Sequence, residues 1–319
     1  MNTINFITGQ GIKKIHRFPD GDIQVELKDL NRKHRAKIIM RLVTPEDRFL
    51  MEQVGDILRR QEVVIEEIYF PYLMCMRNDR VFNFNAAFNL KIICRAINEL
   101  EPRLVRIFTP HNKESLLDNL EVPVKFDNIL PYFGYCGVIE ANGGKGLSKL
   151  LKSITTDKKV LVFPDKGAAD NFKEDIGHKV LNPEIVCFEK ERIIIQVAEK
   201  CSQQKIVLKQ VNTNIDLKNR DVLVVDDLCD LGGTFVKLAE KLDELGVKSK
   251  AIIVSHMIQE GGVYNLLWNY NEVTFTNSFK DWDKYTDKEL DILGMNLNYG
   301  FDKSNQNRLC RKPNIIQIF

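Results

Sequence analysis

The chain has 319 residues, with 46 Lys and Arg against 44 Asp and Glu and a formal net charge of +2. That near balance removes the electrostatic case for general nucleic-acid binding, and the basic residues at 13–14 and 31–37 read as solvated surface. Hydrophobic content of 44% and charged content of 28% fit a soluble globular protein, long enough for two domains. Cys75, Cys94, Cys136, Cys187, Cys201, Cys229 and Cys310 are scattered and form no Cys-x-x-Cys pair. That spacing argues against a disulfide framework or a zinc site and for a reducing compartment. No apolar run approaches membrane-spanning length, and residues 1–6 lack the basic-then-apolar order of a signal peptide. A cytoplasmic protein, bound neither to membrane nor to nucleic acid, is expected.

Short apolar runs alternate with helical patterns, which points to an α/β architecture. In the first half, residues 36–43, 66–73 and 103–109 read as strands, with helices over 48–60 and 86–100. In the second half, 159–164, 206–211, 222–225, 251–255 and 272–276 read as strands, with helices over 167–176 and 234–245. The glycine- and lysine-rich segment 140–146 is a plausible boundary between halves of similar rhythm, giving domains 1–140 and 141–319. It lacks the spacing of a Walker A loop. The residues beyond 279 carry few signals, although 315–319 can form a closing strand that packs back on the first domain.

Residues 221–234, Asp-Val-Leu-Val-Val-Asp-Asp-Leu-Cys-Asp-Leu-Gly-Gly-Thr, are the most informative stretch. An apolar strand ends in Asp226 and Asp227. Asp230, Leu231, Gly232 and Gly233 then turn into a helix opened by Thr234, with Phe235, Leu238, Ala239, Leu242 and Leu245 at helical spacing. Backbone N–H groups of the turn and helix start can hold a phosphate. The paired carboxylates can accept hydrogen bonds from vicinal ribose hydroxyls. The stretch resembles the PRPP-binding loop of type I phosphoribosyltransferases. By itself that likeness leaves phosphoribosyl transfer, PRPP synthesis and regulation without catalysis all open.

Four further segments stand in order along the chain. Phe18-Pro19-Asp20-Gly21-Asp22 has a ring that can stack on a base and carboxylates that can accept from an exocyclic amine. Pro71-Tyr72 is followed by Arg77-Asn78-Asp79-Arg80, whose guanidinium groups suit phosphates. Thr109-Pro110-His111 ends a strand. Phe163-Pro164-Asp165-Lys166-Gly167 places a carboxylate at the carboxyl end of an apolar strand, where ligand sites fall in α/β sheets. Lys190-Glu191-Arg192 lies downstream. Together these resemble the ribose-phosphate pyrophosphokinase (PRPP synthetase) family over roughly residues 15–280.

The resemblance implies two tandem phosphoribosyltransferase-like domains, each a mainly parallel sheet flanked by helices. It implies Mg2+ and ATP. Phe18, Asp20, Asp22, Arg77, Asn78 and Arg80 would bind ATP, and His111 and Asp165 would support the metal. Lys190 and Arg192, in a mobile catalytic loop, would act in the transition state with His111. Asp226 and Asp227 would hold the ribose, and residues 230–234 its 5-phosphate. The β,γ-diphosphate of ATP would pass to a C1 hydroxyl, releasing AMP, in a homo-oligomer, dimer or hexamer.

Three positions depart from the family pattern. Asn78 replaces Gln, Thr109 stands where an Asp is usual, and Leu231 replaces the Thr of the sugar-phosphate loop. Leu231 removes a hydroxyl that would face a terminal phosphate. That favours an acceptor whose phosphate is already esterified, such as ADP-ribose, over ribose 5-phosphate. The chain resembles a divergent, phage-like branch that includes ADP-ribose pyrophosphate synthetases of NAD+ salvage, which would place it in host cytoplasm. A catalytically inactive regulatory relative and a plain phosphoribosyltransferase are the alternatives.

Overall fold

A computed structural model describes residues 1–30, 34–129, 159–177, 184–198, 201–211, 214–282 and 313–318, with the backbone alone at 173–177, 190–198 and 201–207. The chain divides into two compact units. One comprises Met1–Asn128 with Ser278–Lys280 and Ile318–Phe319, the other Ile129–Asn277 and Asp281–Gln317. The expected boundary at 140–146 lies outside the described residues.

The first unit runs β1 (Asn2–Asn5), β2 (Ile12–Arg17), β3 (Ile23–Leu27), β4 (Arg35–Ile39), α1 (Pro45–Arg60), β5 (Val64–Phe70), α2 (Asn89–Asn98), β6 (Val105–Phe108), α3 (Lys113–Leu117) and β7 (Val124–Asp127). Its sheet has the order β1-β4-β5-β6-β7, every neighbouring pair parallel, and β2 and β3 form a separate antiparallel hairpin. Helix α1 starts where the sequence gives it a start. The Thr44 hydroxyl accepts from Asp47 N, the Asp47 carboxylate accepts from Thr44 N, and Pro45 takes the first helical position. Leu50, Met51, Val54 and Leu58 then bury one face in the hydrophobic core that also holds Ile38, Ile68 and Val105. Burying each such side chain is worth about 1.5–3 kcal/mol.

The second unit runs β8 (Val160–Phe163), α4 (Lys166–Gly177), β9 (Ile185–Ala198), β10 (Cys201–Gln210), β11 (Asp221–Cys229), α5 (Gly233–Glu244), β12 (Ser249–Met257), α6 (Glu260–Asn269), β13 (Glu272–Thr276) and β14 (Asn314–Ile316). Its sheet order is β10-β9-β8-β11-β12-β13-β14, parallel except for the β9–β10 hairpin. Strand β11 is central, between β8 and β12. Val222–Val225 are all buried, as a strand covered on both faces requires.

Two expectations need correction. Strand β11 does not stop at Val225 but continues to Cys229, so Asp226 and Asp227 lie within the strand rather than beyond it. Lys190 and Arg192 lie within β9, paired in register with Leu208 and Ile206 of β10, and not in a loop. A charged triplet reads as a loop in sequence, yet the apolar 193–195 run and the long hairpin partner carry it into a strand. The closing strand read near the C-terminus exists as β14, beside β13.

Candidate functional site

In the second unit, the candidate residues converge at the carboxyl ends of β8 and β11, which are adjacent parallel strands. Asp165 follows β8 and caps α4: its Oδ1 accepts from Ala168 N at 3.0 Å. Asp226 Oδ1 accepts from Asp227 N at 2.8 Å, and Asp227 is buried. Removal from water lifts the Asp226 carboxyl well above the ordinary carboxylate range, and the charges of Asp227 and then Asp165 lift it further. A carboxyl under this strain gains from any ligand that offers it donors or positive charge.

The turn that follows is shaped for an anion. Gly232 adopts φ +79°, a left-handed conformation open to glycine, and caps α5 without a side-chain hydrogen bond. The first-turn N–H groups of α5 therefore meet no capping side chain. No atom lies within 4 Å of where a Cβ on Gly233 would sit, so a ligand can approach this backbone closely. Thr234 follows, half-buried, while the Leu231 side chain stands 54% exposed on the rim.

A divalent cation suits this chemistry, because the charges of Asp227 and Asp165 both bear on Asp226. Among the described residues no group of three or more His, Cys, Asp or Glu could cage a metal. A cation here would take one or two carboxylates and complete its shell with phosphate oxygens and water, the habit of Mg2+. His111 belongs to the first unit and Asp165 to the second.

In the first unit, two loops meet at the carboxyl ends of β5 and β6. Asn112 Nδ2 donates to Asp79 Oδ2 at 2.6 Å, and Ser115 Oγ donates to the Asp79 carbonyl at 2.6 Å. The Arg77–Arg80 segment is thus tied to the segment holding His111. Asn78 is anchored by its backbone to Cys75 and Leu90. Arg77, Arg80 and His111 are exposed, and the Arg80 guanidinium sits 5.3 Å over the Phe82 ring. Cys75 (φ +65°) and Thr109 (φ +40°) flank these loops in backbone conformations that cost non-glycine residues energy. Thr109 is buried, its N–H donating to the Asp127 carbonyl at 2.7 Å. It therefore does not take over the exposed role of an acidic residue.

Phe18, Asp20 and Asp22 form the β2–β3 turn, where Phe18 N donates to Asp22 O, Gly21 N to Phe18 O, and Asp22 N to Asp20 Oδ1. Phe18 is 46% exposed. It lines a groove of about 580 Å3 with Asp22, Val25, Phe49 and Gln53, a groove that does not include Arg77, Arg80 or His111. The side chains of Lys190 and Arg192 lie outside the described residues. The sequence reading named Asp79 without giving it a role and missed Asn112, Gln259 and Asn265; all four fix candidate loops. Among the described residues, no helix is long and apolar enough to cross a membrane.

No model of a protein family matches the chain. It is 30% identical over 268 residues, 83% of either chain, to a ribose-phosphate pyrophosphokinase of Pyrococcus abyssi. The chain belongs to the ribose-phosphate pyrophosphokinase family. A Campylobacter jejuni member is 27% identical over 78% of the chain and 73% of its own length. The fold matches a phosphoribosylpyrophosphate synthetase of Mycobacterium smegmatis with a TM-score of 0.64 at 17% identity, covering 95% of this chain and 85% of that one. The family is one of diphosphokinase-type transferases, and this chain is an enzyme of that type.

Proposed function

We propose that this pyrophosphokinase transfers the β,γ-diphosphate of Mg-ATP to the C1 hydroxyl of a ribose 5-phosphate moiety and releases AMP. The observation that carries this is the junction of β11 and α5. The raised Asp226 carboxyl and the buried Asp227 stand beside a helix start with no side-chain cap and an open glycine. Asp226 and Asp227 receive the ribose hydroxyls, and the backbone from Asp230 to Thr234 receives the 5-phosphate. Arg77, Asn78 and Arg80 hold the ATP phosphates, with Phe18, Asp20 and Asp22 toward the base. Lys190 and Arg192 offset charge on the transferring group, so the protein works mainly by positioning and electrostatics. Mg2+, supported by Asp165 and His111, would neutralise phosphate charge when bound. The enzyme works as a homo-oligomer in the cytoplasm.

The acceptor we favour is ADP-ribose. Leu231 offers the phosphate no hydroxyl, and a lost hydrogen bond to a charged group costs about 1.5–3 kcal/mol. Its exposed side chain leaves the rim free for an esterified phosphate. Ribose 5-phosphate is the second reading, supported by the names of the relatives. AMP release with each acceptor offered separately, and products identified by mass, tests both. A diphosphorylated ADP-ribose is expected; PRPP would establish the second reading; no AMP with either acceptor would overturn the activity. Leu231→Thr should shift preference toward ribose 5-phosphate, and an unchanged ratio removes Leu231 from the argument. Lys190→Ala should cut turnover far more than it weakens ATP binding, measured by single-turnover kinetics and titration.

A further inference from the structure

The phosphate loop is held from outside by the segment that enters α6. Ile258 N donates to the Cys229 carbonyl at 2.9 Å. Gln259 Nε2 donates to Asp230 Oδ1 at 2.6 Å, and Asn265 Nδ2 to the Leu231 carbonyl at 2.7 Å. Between them, a Cβ added to Gly262 would lie 2.2 Å from the Asp230 carbonyl oxygen, so the helix backbone abuts the loop directly. Residues 259, 262 and 265 recur every third position and so share one face over the first turns of α6. That face is turned to the loop, where Gly262 also abuts the buried Cys229 thiol, while Val263 and Leu266 enter the hydrophobic core.

The chemistry gives this face a purpose. A loop that presents N–H groups to a phosphate also carries the Asp230 carboxylate, a like charge beside the anion. We propose that Gln259 and Asn265 are positioning residues for the phosphate-binding loop. Gln259 draws the Asp230 carboxylate toward α6, and Asn265 pins the Leu231 carbonyl, so the loop's N–H groups are left to face the sugar phosphate. This rests on the sugar-phosphate reading above. Neither residue touches the acceptor, so their loss appears in acceptor affinity and not in ATP affinity.

Gln259 is exposed, and its replacement leaves the core untouched. Gln259→Met keeps the length and removes the donor. It should raise KM for the acceptor about tenfold, the scale of one lost hydrogen bond to a charged group, with kcat and the KM for ATP near the parent values. Gln259→Glu, which sets a second carboxylate against Asp230, should raise it further at neutral pH, and the excess should fall as the medium is acidified. Gln259→Arg restores a donor and should return the KM toward the parent value. Asn265→Leu should reproduce the Met variant. An acceptor KM in Gln259→Met equal to the parent's overturns the proposal. An equal rise in the KM for ATP also overturns it, since that marks general loosening. A parent enzyme that releases no AMP with ribose 5-phosphate or ADP-ribose overturns the functional reading itself and the proposal with it, an outcome visible before any variant is made.

Discussion

The phosphate-loop region of the second unit and the arginine-and-histidine region of the first occupy equivalent places, the carboxyl ends of parallel strands. They are fixed by different means. The second-unit region keeps its charges buried: Asp227 is nearly inaccessible, Asp226 is strained, and the loop after them is braced by Gln259, Asn265 and the close approach at Gly262. The first-unit region keeps its candidate side chains exposed. Arg77, Arg80 and His111 are exposed, and what is fixed is the backbone beneath them, through Asp79, Asn112 and the strained Cys75 and Thr109. On the function proposed, a sugar with hydroxyls to be counted would meet rigid, desolvated acceptors, and a flexible triphosphate would meet exposed side chains on anchored stems.

The sharpest test of that contrast is Asp226→Asn, because burial there trades stability for function. Its folded pKa lies above its unfolded value, so the folded state holds a proton that the unfolded state releases. The stability this proton represents is fully present below the ordinary carboxylate range and is lost as pH rises through the raised value. The variant carries no such loss. It should melt higher than the parent at neutral and alkaline pH, with the gain shrinking on acidification. Its turnover should fall about tenfold, since an amide cannot reproduce both positions a carboxyl offers the ribose hydroxyls, one net hydrogen bond is worth about 0.5–1.5 kcal/mol, and about 1.4 kcal/mol is tenfold. Thermal melts across pH, beside initial rates, read both. A variant that melts lower at every pH would show that Asp226 is not strained.

A smaller effect is expected in the first unit from Asp79→Ala. It removes the carboxylate that Asn112 holds, and Asn112 also caps α3 through Ser115 N at 3.0 Å. The exposed cations themselves stay, so the loss is one of placement. The KM for ATP should rise about three- to tenfold, matching about 0.5–1.5 kcal/mol for one net hydrogen bond. The acceptor's KM should hold. A matching rise in the acceptor's KM would break the comparison.

How far the sequence carried this reading depends on the kind of residue. The β11–α5 motif was legible because an apolar run, two acids and two glycines have few other uses, and the helix read at 234–245 announced itself by its apolar period, close to the observed Gly233–Glu244. The β2–β3 hairpin was not read as strands, because the adjacent exposed Lys13 and Lys14, with the half-buried His16, blur the alternation. Helix α6 was missed because Gly261 and Gly262 depress its propensity, although the second of these is what lets it meet the loop. The tie from Asp79 to Asn112 spans 33 residues, and no local pattern marks a long-range polar bond. Lys190 and Arg192 were recognised as residues, but the strand they occupy depends on a partner strand that the charged triplet conceals.

The smallest expected effect separates anchoring from contact within the first unit. Arg80 lies over Phe82, and Phe82 is itself 58% exposed. A cation–π pair in water is worth about 0.5–1 kcal/mol. Phe82→Leu keeps an apolar side chain but removes the ring face under the guanidinium. If Arg80 is a solvated cation steered by this ring, the KM for ATP should rise about two- to fivefold, in line with that energy, while the melting temperature stays at the parent value. Phe82→Tyr, which keeps the face, should match the parent. If leucine and tyrosine behave alike, the ring does not steer Arg80, and the anchored backbone alone places the guanidinium. If the effect instead exceeds that of Asp79→Ala, the exposed cations are organised by side-chain contacts more than by the loops beneath them, and the first unit would resemble the second more closely than its solvent exposure suggests.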